Sequence, residues 1–240
     1  MRKAVVLHSG GLDSTTALYW AVEWAHGADN VVALSVLYGQ RHEREVRSAS
    51  HICHGLGVEH KIVDLRTFGT CLPGALTGGD EVPHGHYAEE NMKVTVVPNR
   101  NVIFLSLAYA LAVSIGDDSG DPVGVVISVH GGDHYVYPDC RPDFLHAFEA
   151  MEWKALEGRG IPRLIAPFSK KDKIDIACYA RSFAVPIEET WSCYEGKSKH
   201  CGRCGTCVER IWALHQAGVQ DPTEYADTEY WKEVMADELR

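Results

Sequence analysis

The chain has 240 residues, 23 Lys plus Arg against 33 Asp plus Glu, a net charge of −10, and 45% hydrophobic residues. That length buries a full core and spans one to two domains, which excludes a disordered chain and a small secreted disulfide scaffold. The acid excess argues against a protein that grips nucleic acid through many phosphate contacts, because such binding needs a concentrated basic face.

Lys3–His8 reads as a short buried strand, and Ser9–Asp13 as a glycine turn. Ser14–His26 follows as a helix, with Ala17, Leu18, Ala21, Val22 and Ala25 on one face and Asp13 as its N-cap. Val31–Tyr38 is a second strand, His42–Leu56 an amphipathic helix and Val58–Leu65 a third strand. This alternation predicts an α/β fold, an open parallel sheet with helices on both faces. Residues 66–96 read as a long loop. Asn101–Ile115 is a nearly all-apolar helix expected to be buried, and Val123–Val129 a further strand. Pro142–Leu156, Lys170–Phe183, Glu209–Ala217 and Thr228–Leu239 complete the helices.

The apolar stretch Ala4–Leu7 ends at Ser9-Gly10-Gly11, too short for a signal peptide. Val102–Ile115 is shorter than the roughly 20 residues that cross a bilayer. A cytoplasmic protein without membrane contact is expected.

His8-Ser9-Gly10-Gly11-Leu12-Asp13-Ser14-Thr15-Thr16 lies where a strand hands over to a helix. Small residues there let backbone approach a phosphate, and the helix start supplies unpaired N–H groups and partial positive charge. Ser9, Ser14 and Thr15 add hydroxyls, and Asp13 suits a magnesium ligand or helix cap. This is neither a Walker loop nor a dinucleotide fingerprint. It resembles the S-G-G-x-D-S loop of the PP-loop ATP pyrophosphatases, which implies cleavage of ATP to AMP and pyrophosphate with an adenylated intermediate. Gln40 or Arg41, after the second strand, can face the nucleotide on the same sheet edge.

Of the eight cysteines, four crowd together as Cys193-x7-Cys201-x2-Cys204-x2-Cys207. This spacing wraps one small cation, and four thiolates make a closed, structural zinc site. An iron–sulfur cluster is the rival occupant. Lys197, Lys199, His200 and Arg203 can offset the thiolate charge.

Further segments join these: Val97-Pro98-Asn99-Arg100-Asn101, Gly131-Gly132-Asp133-His134, Tyr137-Pro138-Asp139-Cys140-Arg141-Pro142, Ser169-Lys170 and Thr190-Trp191-Ser192-Cys193-Tyr194. Together with the glycine turn and the cysteine spacing they resemble the QueC family of 7-cyano-7-deazaguanine synthases, over nearly the whole chain. The resemblance implies a ligase that turns 7-carboxy-7-deazaguanine and ammonia into a nitrile with ATP, through an adenylated acid and an adenylated amide, for queuosine or other deazapurine synthesis. It implies ATP binding by His8–Thr16 with Gln40 and Arg41, and catalytic roles for Asp13, Arg100 and Lys170. It further implies substrate contacts from Asp133, Asp139 and Arg141, zinc on the four cysteines, magnesium with ATP, and a homodimer. Cys140, Phe104 and Trp191 are expected as packing residues. Residues 1–186 would form the ATP pyrophosphatase domain and 187–240 a zinc-binding helical region packed on it. The rivals are a homologue that stops at the amide, another adenylating amide synthetase or tRNA thiolase of the superfamily, and a zinc-ribbon module without catalysis, which would leave the glycine turn unexplained.

Overall fold

The computed structural model describes residues 2–40, 44–71, 76, 82–86, 90–116, 122–157 and 162–236. Five strands form one parallel sheet: β1 (Ala4–Leu7), β2 (Val31–Leu37), β3 (Glu59–Asp64), β4 (Gly124–Val126) and β5 (Arg163–Ile165), in the order β3-β2-β1-β4-β5. β1 is central, with Ala4 opposite Val31 on one side and Gly124 on the other. All four of its residues are buried, because helices cover both faces.

The helices are α1 (Leu12–Trp24), α2 (Arg44–Leu56), the single turn α3 (Arg66–Gly69), α4 (Arg100–Ile115), α5 (Pro142–Leu156), α6 (Lys173–Ser182), α7 (Gly205–Gln216) and α8 (Tyr230–Val234). Alternation along β1 sorts them. Val5 and Leu7 meet Leu105, Tyr109, Leu145 and Phe148 of α4 and α5. Ala4 and Val6 meet Ala17, Leu18, Ala21, Ile52 and Ile176 of α1, α2 and α6. Leu214 of α7 packs with Leu12 and Ala177, which joins the C-terminal helices to the sheet layer. Among the described residues no helix is long and apolar enough to cross a membrane.

The expected α/β architecture holds, with local corrections. Asp13 is not the N-cap: Gly11 is, and Asp13 stands inside the first turn of α1. The strand expected over 123–129 keeps its ladder only through Val126, where pairing with the unexpected strand β5 ends. The apolar helix α4 is not wholly buried. Ser106, Ala110 and Ser114, four residues apart, form an exposed row of small side chains. The long loop contains α3 and a 3-10 turn, Glu90–Thr95. The sixth helix starts at Lys173 rather than Lys170, since Asp172 and Asp175 form a capping box there. The next starts at Gly205, so Cys207 lies in its first turn. The closing helix is shorter than expected, and residues 237–240 lie outside the described set.

Candidate nucleotide cavity and metal centre

β1 ends where the strand order turns back between β1 and β4, the place where open parallel sheets bind ligands. A cavity of about 240 Å³ lies there. Its floor is the glycine turn. The Ser9 N–H donates to Ser14 Oγ at 3.1 Å, the two hydroxyls stand 3.0 Å apart, and the Gly11 N–H donates to Ser9 Oγ at 3.3 Å. Gly10 has φ of +88°, and a Cβ there would collide with the Glu45 carbonyl of α2. Only glycine lets the turn pass so close to that helix.

Asp13 and Lys173 carry the charge of this end. Lys173 Nζ donates to Asp13 Oδ2 at 2.6 Å and lies 3.3 Å from Glu209 Oε2. Burial pushes the Asp13 carboxyl up, but the charges of Lys173, His130 and Arg210 outweigh it and hold the group below the usual carboxylate range. Burial likewise opposes the Lys173 ammonium, while Asp13 and Glu209 keep it charged. Asp13 Oδ1 is buried and has no hydrogen-bond partner, as are both ring nitrogens of His8. Burial, with His60 beside it, lowers His8 to about 3 and keeps it neutral.

The turn residues His8, Ser9, Gly11, Leu12, Asp13 and Ser14 all line the cavity, as do Gln40, Arg100 and Asp133. Gln40 is turned partly onto its own loop, accepting the Tyr38 N–H at 2.8 Å. Other expected residues are not brought there. Gly10 lies behind the floor, Thr15 is buried beneath it, and Thr16 donates to the Leu12 carbonyl at 2.7 Å. Lys170 is exposed in the turn before α6, and the first helical residue, Lys173, takes the place expected for it. Asp139 accepts the Asn101 N–H at 3.2 Å. Arg141 is exposed and donates to the His134 carbonyl at 3.0 Å. Arg41 lies outside the described residues. Cys140 and Trp191 are buried and Phe104 is packed on the core, as expected, and all three also line the cavity. Sequence reasoning missed Lys173, Glu45, Tyr137, Tyr194 and Glu209 as lining groups. A signal existed for Lys173: Asp172 as N-cap selects it from the Lys170, Lys171 and Lys173 set.

The four cysteines converge. Their Sγ atoms lie within 4.8 Å of one another and all four residues are buried. Cys201 and Cys207 Sγ are 3.9 Å apart, close to the ~3.8 Å edge of a tetrahedron with metal–sulfur bonds of about 2.3 Å. The Arg203 and Cys204 N–H groups both donate to Cys201 Sγ, at 3.3 and 3.2 Å, and the Cys201 N–H donates to Cys193 Sγ at 3.3 Å. This donor set fits one small thiophilic cation. Of the nearby cations, Lys197 acts on Cys193 and Cys201 as expected while also pairing with Glu195. Lys199 and Arg203 pair with Glu224 and Asp227, and burial holds His200 neutral, at about 3. Backbone N–H groups temper the thiolate charge as well.

The cysteine region also walls the cavity. The Trp191 N–H donates to the Gly10 carbonyl at 2.8 Å, and Thr206 Oγ1 donates to the Ser192 carbonyl at 2.8 Å. The buried Arg210 guanidinium ties Thr190, Ser192, Ile187 and Thr223 together.

The family described as Queuosine biosynthesis protein QueC matches residues 3–218. A 7-cyano-7-deazaguanine synthase of Paracoccus denitrificans is 46% identical over 239 residues, 99% of each chain. One of Brucella ovis is 48% identical over 231 residues, 96% of each. A solved U34-tRNA thiolase NcsA from Methanococcus maripaludis covers all of this chain and 65% of its own, with a TM-score of 0.48 and 17% identity. With a family match across most of its length and curated relatives near half identical end to end, the chain belongs to the QueC family.

Proposed function

We propose that this protein makes 7-cyano-7-deazaguanine from 7-carboxy-7-deazaguanine, ammonia and two ATP, releasing two AMP and two pyrophosphate. The carrying observation is near-half identity to 7-cyano-7-deazaguanine synthases over 96–99% of the chain, together with a glycine turn that opens into the cavity. The carboxylate oxygen attacks the ATP α-phosphorus and pyrophosphate leaves. Ammonia then displaces AMP to give the amide. The amide oxygen is adenylated in turn, and loss of a second AMP with the two amide protons leaves the nitrile. Both halves make a poor oxygen leaving group into AMP, so one phosphate cradle serves both.

In that cradle the Gly11 N–H, the Ser9 and Ser14 hydroxyls and the start of α1 hold phosphate oxygens. The Lys173 ammonium faces the charge that builds on the leaving group. Asp13 pins Lys173 and, through its unpartnered Oδ1, suits a magnesium ion with Asp133 nearby. Cys193, Cys201, Cys204 and Cys207 hold zinc as a closed structural site, leaving no open position for chemistry. Residues 1–186 act as the ATP pyrophosphatase unit and 187–240 as its metal-bearing wall, in a cytoplasmic homodimer.

The test is mass spectrometry of products from protein, ATP, magnesium, ammonium and 7-carboxy-7-deazaguanine. A nitrile with about two AMP per turnover is expected from the two-adenylation chemistry. Amide alone would move the protein to a synthase that stops one step short, and no AMP would overturn the assignment.

A further inference from the structure

Among the described residues two cations line the cavity, in different situations. Lys173 is already paired with Asp13 and Glu209. Arg100, the first residue of α4, also lines the cavity, but among the described residues its guanidinium has no carboxylate within ion-pair distance. Its surroundings are aromatic instead. The guanidinium carbon lies 5.7 Å from the centre of the Tyr137 ring. The hydroxyls of Tyr38, Tyr137 and Tyr194 act on it electrostatically. The Tyr38 ring packs against Phe104 at 5.4 Å, and Tyr137 is fixed by Thr95 Oγ1 at 2.8 Å. The neighbours of Arg100 are these aromatic side chains, whereas those of Lys173 are Asp13 and Glu209.

Glu45 lines the same cavity and acts on Arg100 from beyond ion-pair distance, but burial pushes its carboxyl up to about 7. A half-buried guanidinium among aromatic rings with no carboxylate in contact is costly by itself. Its planar fork matches a carboxylate in two parallel hydrogen bonds, and flanking rings match a flat heteroaromatic body. We propose that Arg100, with Tyr137 and Tyr38 beside it, is the receptor for the carboxylate of the acceptor acid, whose ring lies against those aromatic side chains. This deepens the functional reading above and rests on it. It replaces Arg141, which is exposed and donates to the His134 carbonyl. It also gives the site a preference between its two acceptors: the starting acid is an anion and the amide is neutral. Arg100 therefore favours entry of the acid over re-entry of a released amide.

The test is calorimetric titration of 7-carboxy-7-deazaguanine, and of 7-deazaguanine lacking the carboxylate, into the wild-type protein and Arg100→Met. The wild type should bind the acid about 10- to 100-fold tighter than the bare ring, the range expected for hydrogen bonds to a charged group. R100M should bind the two alike while its affinity for ATP stays within about 2-fold of wild type, the change expected where no contact is lost. An acid preference retained in R100M, or ATP affinity lost in step with acid affinity, would overturn the role. Because R100M can fail to fold, arginine Nε resonances of the wild type provide a second measurement. One should shift with the acid and not with the bare ring, and no such difference also overturns the role. A wild type that binds ATP but neither ring compound would sink the functional reading itself, whereas a retained acid preference in R100M sinks only Arg100.

Discussion

Gly10→Ala tests the glycine turn most directly. At φ of +88° Gly10 is in the left-handed region, where an L-residue costs roughly 1–2 kcal/mol. The added methyl collides with the Glu45 carbonyl oxygen and comes within 2.7 Å of the Ala49 nitrogen and 3.1 Å of the Glu45 carbonyl carbon. These are backbone atoms of α2 and cannot swing aside. Shifting them costs about 1–3 kcal/mol, as in an overpacked core. The sum, about 2–5 kcal/mol, lowers Tm by roughly 4–20 °C in a chain of this size. Gly11→Ala is the control. Its φ is −76° and its Cβ would lie 3.4 Å from Ser9 Oγ and 3.5 Å from the Trp191 carbonyl, so it should cost only about 0.5 kcal/mol of capping. Thermal unfolding and ATP titration on both variants separate the cases. G10A should also lose ATP affinity, since its carbonyl anchors Trp191 at the cavity wall. If G10A and G11A unfold within about 0.5 kcal/mol of each other, a difference no larger than capping alone gives, the packing argument is wrong.

Asp13→Ala should abolish AMP formation while fold and metal content survive, because Lys173 keeps Glu209 as a partner; AMP release near the wild-type rate would remove Asp13 from the machinery. Cys204→Ser should lower bound zinc, melting temperature and ATP affinity together, checked by metal analysis and calorimetry, and a stable metal-free variant with normal ATP binding would contradict it. His8 sits at about 3 when folded and near 6.5 when unfolded, so the unfolded chain binds the extra proton. Its contribution is intact above about pH 6.5 and falls by about 1.4 kcal/mol per pH unit below that, toward pH 3. Urea unfolding of His8→Gln should therefore show a flatter stability curve over that window than the wild type, and superimposable curves would refute the burial argument.

What the amino-acid sequence shows of this molecule depends on how local each feature is. β1, β2 and the glycine turn are legible because apolar runs and small residues are contiguous. The cysteine site is legible because its spacing closes within one short segment. β5 escapes notice because Arg163–Ile165 is only three residues long and is defined by pairing with β4. The cavity wall built by Trp191, Ser192, Tyr194 and Glu209 joins residues some 180 positions from the turn they face, and no periodicity reports that. Lys170 and Arg141 misled because a basic residue in a motif says nothing of which way its side chain points. The capping box at Asp172 and the His134 carbonyl decide that.

The central place of β1 has a consequence for how the protein meets ATP. Its backbone is laddered to a neighbour on either side, and such strands open last when a protein breathes. The glycine turn, the proposed phosphate cradle, is thus hung from a strand expected to exchange slowly. Nucleotide meets donors already in place and loses little affinity to ordering them, so changes in amide protection on ATP binding should gather at the Trp191 side of the cavity and leave the strand beneath the turn unmoved.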